Sequence, residues 1–442
     1  MEKPLPTIAV LGASGLIGEA VATQLMEDGF PVVAIARRFH MSQKAAFGEA
    51  ATELPLVPLD AGALSKLIRD RKVEIVINCI GALRSRHGVS IDALHRTFVE
   101  RLVAVLRLTF PPSLLIHISI PGAGDQDRTA FSRTKRLGES AIIGGLTPFV
   151  ILRPGFVVAT AAYGGGALIR ALAALPFDLP SNEARQVFAT TDVRDISRTI
   201  AVVAHRWSTG EQAWRAAWDV MAREPATVGE VIEAFRHRFG GPTKTIALPR
   251  WLLTFGAEAG EAAALLGWSP PIQRTTLCEM RRGIAGRPEA WIAATGIEPI
   301  SLDAALRSSP ATIQEKWFAR LYLLKGLVLG SLAAFWILSG LLPLTVSFQD
   351  AIAILTKHGL PEELAQPVAI ASSLADIAIG AAIAVKKTCR AGLLAGIVLS
   401  LCYLVGATIV APDLWIGPLG ALVKTVPAIL LMFVGLATLE SR

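Results

Sequence analysis

The sequence predicts an α/β Rossmann-like doubly wound parallel sheet with a small substrate-side lobe, followed by an all-α four-helix transmembrane domain. Three observations lead there. A glycine-rich corner at Gly12 joins an apolar strand to a helical pattern. Short apolar runs then recur at the spacing of strand–helix–strand units. From about Leu321 onward, long apolar runs replace this mixed pattern. The 442 residues are 52% hydrophobic and only 18% charged, too oily for an ordinary soluble protein, and the oil is unevenly spread. A boundary falls near "SSPATIQEKW" (308–317), separating a domain over 1–310 from one over 311–442.

The first element is also the most informative. In "TIAVLGASGLIGEAVATQLMEDGFPVVAIARR" an apolar strand (Ile8 to Leu11) meets Gly12-x-x-Gly15-x-x-Gly18. A helix with Ala20, Val21, Leu25 and Met26 on one side follows, and then a second strand, "PVVAIA". Strand, glycine turn, helix, strand is the dinucleotide-binding unit. Gly12 allows the tight turn, Gly15 lets backbone approach a pyrophosphate, and Gly18 permits close packing of helix on strand. The pyrophosphate then lies on the backbone from Ser14 through Leu16 and Ile17, at a helix start whose dipole favours negative charge. After the second strand, where an NAD-preferring domain places an acidic residue, stand Arg37 and Arg38. Guanidinium can grip a 2′-phosphate that a carboxylate would repel. NADP(H) is therefore expected ahead of NAD(H), unless the two arginines merely form a solvated turn.

Further strands are expected at 54–60 ("LPLVPLD"), 74–82 ("EIVINCIGA"), 113–120 ("SLLIHISI") and 148–158 ("PFVILRPGFVV"), with helices between them. Near-continuous apolar strands indicate a parallel sheet covered on both faces. Ligands bind beyond the carboxyl ends of such strands, which puts Asp60, Gly81 and Ser119 on the ligand side.

This pattern resembles the extended and atypical short-chain dehydrogenase/reductase superfamily. The resemblance rests on the glycine motif, Asp60, "NCIGA", "HISI" with Ser119, "FSRTKRLGE" with Lys135, and "ILRPG" with Arg153 and Pro154. It implies that Asp60 contacts the adenine, Gly81 lets the cofactor pass, Lys135 bonds the nicotinamide ribose, and Ser119 orients substrate. The superfamily's Tyr-x-x-x-Lys is "FSRTK" here, with Phe131 in place of the tyrosine. The chain's tyrosines are Tyr163, Tyr322 and Tyr403, and none is followed by lysine four residues on. Positioned acid–base catalysis contributes roughly 10²–10⁴-fold, and phenylalanine has no proton to give. Either another group supplies the proton, with Tyr163 of "AAYGGGALIRALAALP" the first candidate, or the domain binds cofactor without chemistry. Tyr163 could equally be a packing residue.

Residues 220–310 read as the smaller, substrate-side lobe. Its tryptophans, Trp251, Trp268 and Trp291, either wall a long apolar ligand or pack a core.

Four apolar segments follow, at 321–344, 368–385, 391–411 and 417–439. Each runs roughly 18–24 residues, enough for a helix to cross ~30 Å of hydrocarbon. Lys316 and Arg320 precede the first, and Lys386, Lys387 and Arg390 separate the second from the third. Asp350, Glu362, Glu363 and Asp413 lie on the other side. Positive charge stays inside, so the dinucleotide domain and both chain ends are expected at the cytoplasmic face of a bacterial inner membrane. Within the spans Asp376, Lys325 and Lys424 are functional candidates. Asp376 and Lys424 could pair, and Lys325 could snorkel.

The remaining composition agrees. Cys79, Cys278, Cys389 and Cys402 form no metal-ligand spacing, and a reduced compartment fits them. No secretory signal precedes Thr7. The net charge of +7 gathers before the oily part without aromatic interleaving, so an anionic membrane face is expected rather than nucleic acid.

The C-terminal part resembles the DoxX-like membrane family through "RLYLLKGLVLGSLAAFWILSGLL", "LADIAIG" and "DLWIGPLGALVKTVPAILL". Front to back, the chain is similar to bacterial dehydrogenase-like proteins with a DoxX-like C-terminus, in which phenylalanine in "FSRTK" is the family form. The front also resembles the nucleotide-binding accessory subunit of respiratory complex I, where bound NADPH is structural. The resemblance implies an NAD(P)-binding oxidoreductase without naming a substrate, and the coupling of an NADPH domain to a bilayer domain points to a lipophilic molecule such as a quinone or isoprenoid. The alternative they leave open is a non-catalytic assembly or redox-sensing module.

Overall fold

A computed structural model describes residues 4–439 apart from 86, 87, 123 and 417–421. The chain forms two compact units, Met1–Ala257 with Pro271–Ala319, and Glu258–Pro270 with Arg320–Arg442.

In chain order the first unit opens with β1 (Thr7–Leu11), α1 (Leu16–Glu27), β2 (Val32–Ala36), α2 (Met41–Phe47), β3 (Ala51–Glu53), α3 (Ala61–Asp70) and β4 (Val73–Asn78). A π-helical turn at Ala93–Thr97 leads into α4 (Phe98–Leu106), followed by β5 (Leu114–Ile118), α5 (Ala130–Ile143), β6 (Phe149–Pro154) and β7 (Phe156–Val158). Next come α6 (Gly164–Ala174), β8 (Phe177–Asp178), α7 (Ser181–Ala184), β9 (Val187–Phe188), β10 (Thr190–Asp192), α8 (Val193–Ser208) and β11 (Arg215–Val220). The unit closes with β12 (Ala226–Thr227), α9 (Val228–Phe239), β13 (Ile246–Ala247), α10 (Arg250–Leu265), α11 (Arg274–Arg282), α12 (Glu289–Thr295) and α13 (Leu302–Ser308). The later half of α10 lies in the second unit.

Seven strands pair in parallel in the order β11-β6-β5-β4-β1-β2-β3. Alternate residues explain the two cores. Ile8, Val10, Ile75, Ile77, Ile116 and Val150 bury one face beneath α1 and α8. Ala9, Leu11, Val76, Leu115 and Ile151 bury the other beneath α3 and α4. Each such side chain contributes roughly 1.5–3 kcal/mol when fully buried. Strand order reverses between β1 and β4, and the crevice at that switch point is where such sheets hold ligands.

Three expectations change. The third strand is Ala51–Glu53, not 54–60. Pro55 and Pro58 interrupt the apolar run, and proline cannot donate to a ladder. The expected strand at 148–158 is two. At Gly155 a Cβ would overlap the Ala189 carbonyl, and the backbone turns to pair β7 with β10. Finally, β11 is a seventh strand beside β6 that no expectation covered, anchored by buried Trp214 and Trp218.

The second unit contains α14 (Ile313–Thr345) from Arg320 onward, then α15 (Phe348–Lys357), α16 (Glu362–Ala384), α17 (Cys389–Val410) and α18 (Thr425–Leu439). Three of these, α14, α16 and α17, are long and apolar enough to cross a membrane. The fourth expected segment, 417–439, is helical over the 15 residues of α18, and 417–421 lie outside the described residues. Small residues bring the helices together, as in membrane packing generally. A Cβ at Gly380 would come within 2.8 Å of the Ala333 carbonyl, and one at Gly396 within 2.8 Å of the Met432 sulfur. Asp376 accepts a hydrogen bond from Tyr403 Oη at 3.1 Å. Among the described residues no ion pair joins Asp376 to Lys424, which is exposed. The tyrosine, not the lysine, answers the buried carboxyl.

Gly380→Leu is expected to overpack the α14–α16 contact, costing about 1–3 kcal/mol and several degrees of melting temperature in detergent. Gly326→Leu, with nothing within 4 Å of its Cβ, is expected to leave the melting temperature unchanged. Equal shifts would contradict this packing.

Candidate functional site

Glycine builds the corner between β1 and α1. Gly12 has φ +84, and a Cβ there would stand 3.2 Å from Cys79 and Ile80 beyond β4. A Cβ at Gly18 would overlap the Gly12 carbonyl. The turn is held by Gly15 N–H donating to Gly12 O at 3.0 Å, while Gly12 and Ala13 N–H donate to Ile35 O. Gly15 is the N-cap of α1, and no side chain caps the helix. The first turn, Leu16 to Gly18, therefore offers its N–H groups to the crevice, beside Ser14.

On the β2 side, Arg37 and Arg38 are both exposed. Near them Glu53 accepts from Phe39 N–H at 2.8 Å and pairs with Lys44 at 3.0 Å. The Phe39 N–H first, and then Lys44, hold the Glu53 carboxyl below its ordinary range. Asp60 stands elsewhere than a strand end: it caps α3, accepting from Ala63 N–H at 2.8 Å. The proline-broken strand explains the change.

The helix α5 carries Phe131 and Lys135. Thr129 caps it by accepting from Ser132 N–H at 3.1 Å. Lys135 is 5% exposed and donates to Ile118 O at 2.9 Å and Ile80 O at 3.4 Å, so it bridges the ends of β4 and β5. A Cβ at Gly81 would stand 3.5 Å from its Nζ, in ordinary contact, so Gly81 lies directly against the ammonium. Burial lowers the Lys135 pKa to about 8. Burial also raises the neighbouring Cys79 thiol to about 12.

Sequence reasoning missed His95, on the π-helical turn. Its Nε2 accepts from Ala82 N–H at 3.2 Å and its Nδ1 lies 3.0 Å from Thr134 Oγ1. Thr134 Oγ1–H donates to Ala130 O at 2.7 Å. Nδ1 therefore carries the hydrogen, and Nε2 is the acceptor. Burial, with Lys135 nearby, lowers the His95 pKa to about 3. The neutral ring meets Phe131 edge-on, with centroids 5.5 Å apart. No spacing rule couples residue 95 to 131; a π-turn is the signal that could have drawn attention to it.

Ser119 faces a carboxylate. It donates to Glu139 Oε2 at 2.7 Å, and Glu139 is also met by Arg136 at 3.3 Å and by Arg153. Asp127 pairs with Arg136 at 3.1 Å and Arg282 at 3.2 Å. These groups are largely buried and form one network around α5, in which paired charge offsets desolvation. Tyr163 stands at the N-cap of α6 and donates to Glu19 Oε2 at 3.1 Å, in the first turn of α1. Gln43 donates to the same oxygen at 2.7 Å. The structure thus gathers Gly12, Gly15, Gly18, Gly81 and Lys135 at the switch point, with Tyr163 bonded to Glu19 of α1, while Ser119 and Asp60 serve neighbouring polar contacts.

The three lobe tryptophans separate. Trp291 is fully buried under the sheet and donates to Thr199 at 2.9 Å, Trp268 lies in the second unit, and Trp251 is 68% exposed. They form no common wall.

The Lys135 shift has a pH signature. Its native pKa of about 8 lies below the ordinary 10.5, so the unfolded chain holds more protons across that window. Its contribution to stability is present above 10.5 and is lost as pH falls through 8. Cys79 opposes this only from pH 9 upward. Between pH 7.5 and 9 the wild type is therefore expected to gain melting temperature relative to Lys135→Met. A constant difference would show an ordinary, solvated lysine.

Residues 8–109 match the NAD-dependent epimerase/dehydratase family, and residues 333–433 match the DoxX-like family. No curated protein sequence matches the chain. Among solved structures, UDP-glucuronic acid 4-epimerase from Bacillus cereus, in complex with UDP-glucuronic acid and NAD, is 16% identical with a TM-score of 0.50. That alignment covers 72% of this chain and 99% of the epimerase. The Bordetella bronchiseptica enzyme WbmF, in complex with NAD+, is 13% identical with a TM-score of 0.51, covering 73% and 96%. UDP-glucose 4-epimerase from Thermotoga maritima, with UDP-glucose, is 14% identical with a TM-score of 0.51, covering 72% and 99%. At these identities the likeness is one of fold. The N-terminal part is thus similar to the NAD-dependent epimerase/dehydratase family and the C-terminal part to the DoxX-like family, each match covering less than half of the chain.

Proposed function

We propose that this chain is a membrane-anchored NADP(H)-binding module that has given up tyrosine-dependent proton transfer. The observation that carries the reading is the pairing of Phe131 with neutral His95 where the proton donor would stand. Ser119 is committed to Glu139, and Tyr163 to Glu19. Each acid that could replace the tyrosine therefore already has a structural partner. Gly12, Ser14, Gly15, Leu16, Ile17 and Gly18 would hold the pyrophosphate, Gly81 would let the nicotinamide half pass, and Lys135 would meet its ribose. Asp60, whose second carboxylate oxygen is not used in capping, would meet the adenine. Arg37 and Arg38 would take a 2′-phosphate, which favours NADP(H) over NAD(H).

The bound dinucleotide would then act as a folding ligand or a redox sensor, since a ligand that binds only the native state stabilises it. A second reading, hydride transfer to a lipophilic molecule such as a quinone or isoprenoid, is favoured by the union of this domain with apolar spans. It is also favoured by Lys135, whose pKa of about 8 would let an amine exchange protons near neutrality. The basic flanks at Lys316, Arg320, Lys386, Lys387 and Arg390 support the dinucleotide domain facing the cytoplasm of a bacterium, with the chain crossing the inner membrane repeatedly.

In calorimetry, replacing Arg37 and Arg38 together with Ala is expected to weaken NADPH about 10- to 100-fold, the loss of one or two charge-assisted hydrogen bonds. NADH binding should be unchanged; equal losses would refute 2′-phosphate recognition. The purified protein is expected to gain melting temperature with NADPH and to leave its absorbance constant in the presence of quinones and lipid aldehydes. Sustained NADPH oxidation that Lys135→Met abolishes would replace the module reading with the reductase one.

A further inference from the structure

Residues 159–163, between β7 and α6, join the two rims of the crevice. The segment leaves β7, which continues from β6, and ends at Tyr163, whose hydroxyl donates to Glu19 in the first turn of α1 at 3.1 Å. In the sheet β5 and β4 stand between β6 and β1. At ~4.8 Å per neighbouring pair, β6 and β1 run roughly 14 Å apart. The carboxyl ends of β4 and β5, with Gly81 and Lys135, lie between those rims.

The two ends of the segment are fastened differently. At its start Arg170 of α6, itself buried, donates through Nη2 to Ala159 O at 2.7 Å and Thr160 O at 3.0 Å. At the far end the receiving carboxylate is already placed from the other side. Gln43 of α2, also buried, donates to the same Glu19 Oε2 at 2.7 Å and to Ser14 O at 3.3 Å. Glu19 is thus tied to the glycine corner by groups other than Tyr163, and the phenol adds a charge-assisted bond to it. Directly after Tyr163 the first turn of α6 is Gly164, Gly165 and Gly166. Gly164 has φ +45, and a Cβ at Gly164 or Gly166 would meet nothing within 4 Å. Such a turn has little side-chain packing to hold it and serves as a joint.

We infer that residues 159–163 are a strap across the crevice, latched by the Tyr163–Glu19 bond, which sets how fast a nicotinamide dinucleotide enters and leaves. The inference rests on the reading of the glycine corner as the pyrophosphate site. Arg170 fixes the start of the strap, Gln43 fixes the catch, and the three glycines let the latch swing between them. Neither partner of the latch belongs to the nucleotide, so the latch bars entry and exit alike. A tyrosine that only packed would act on stability, and one that touched the nucleotide would act on exit. A latch acts on both rates and spares the affinity.

The test is stopped-flow fluorescence with NADPH on the full chain in detergent, alongside calorimetry. Tyr163→Phe is expected to raise the association and dissociation rate constants together by about 10-fold, the loss of one charge-assisted hydrogen bond, and to leave Kd within about threefold. In a Glu19→Ala background the same substitution is expected to change neither rate. Unchanged rates in Tyr163→Phe overturn the latch. Faster dissociation alone, with Kd weakened in proportion, also overturns it and makes Tyr163 a contact of the nucleotide. An effect that persists without Glu19 overturns the pairing. A wild type that binds no NADPH in calorimetry sinks the pyrophosphate reading and the strap with it. Should Tyr163→Phe fail to fold, Gly166→Ala, which stiffens the joint, takes its place. Entry and exit are then expected to slow together, and equal or faster exchange overturns the strap.

Discussion

The first unit depends on one close approach, that of the β1–α1 corner to the backbone just beyond β4. At Gly12 a side chain would press on Cys79 and Ile80, and at Gly18 it would strike the Gly12 carbonyl. With those side chains absent, the start of α1 faces the crevice at the point where strand order reverses. The alternating cores on both faces of the sheet keep β1 and β4 adjacent. The same approach brings the Ile80 carbonyl within reach of Lys135, so the glycine corner and the lysine meet the same loop.

Around α5, Phe131 stands where the resemblance to short-chain dehydrogenases would place a proton-donating tyrosine. An edge-on aromatic contact fills the tyrosine's place, and His95 is fixed in one neutral tautomer by Ala82 and Thr134. The serine faces a carboxylate that already receives two arginines. A lone buried carboxylate would be costly; one held by two guanidinium groups and a hydroxyl is a rigid post for the helix. Rigidity here serves the placement of Lys135.

How much of this was readable beforehand depended on whether the cause was local. The glycine corner was legible because its motif, strand and helix are contiguous, and the long apolar helices α14, α16 and α17 were legible because hydropathy needs no partner. The third strand lies at Ala51–Glu53 because Pro55 and Pro58 break the apolar run that follows it. The strand β11 escaped because "RAAWDV" is bounded by no strong turn signal. His95 and Glu139 were invisible for a different reason: their meaning lies in contacts with residues 20 to 39 positions away. Asp60, to which the resemblance assigns an adenine contact, also follows a local rule, an acidic residue just before a helix, and caps α3. Likewise the supposed partner of Asp376 was sought by charge, and the fold supplied Tyr403.

The second unit is assembled by absence of bulk, with glycines at 340, 380, 392 and 396 admitting neighbouring helices. One of its bonds has a temporal consequence. Trp268 satisfies the carbonyl of Ala384, a residue 116 positions later in the chain. During synthesis that indole has no mate until the ribosome has delivered the whole of α16. The segment around Trp268 thus settles only after α16 has been made, so completion of this unit waits on a helix that lies far later in the chain.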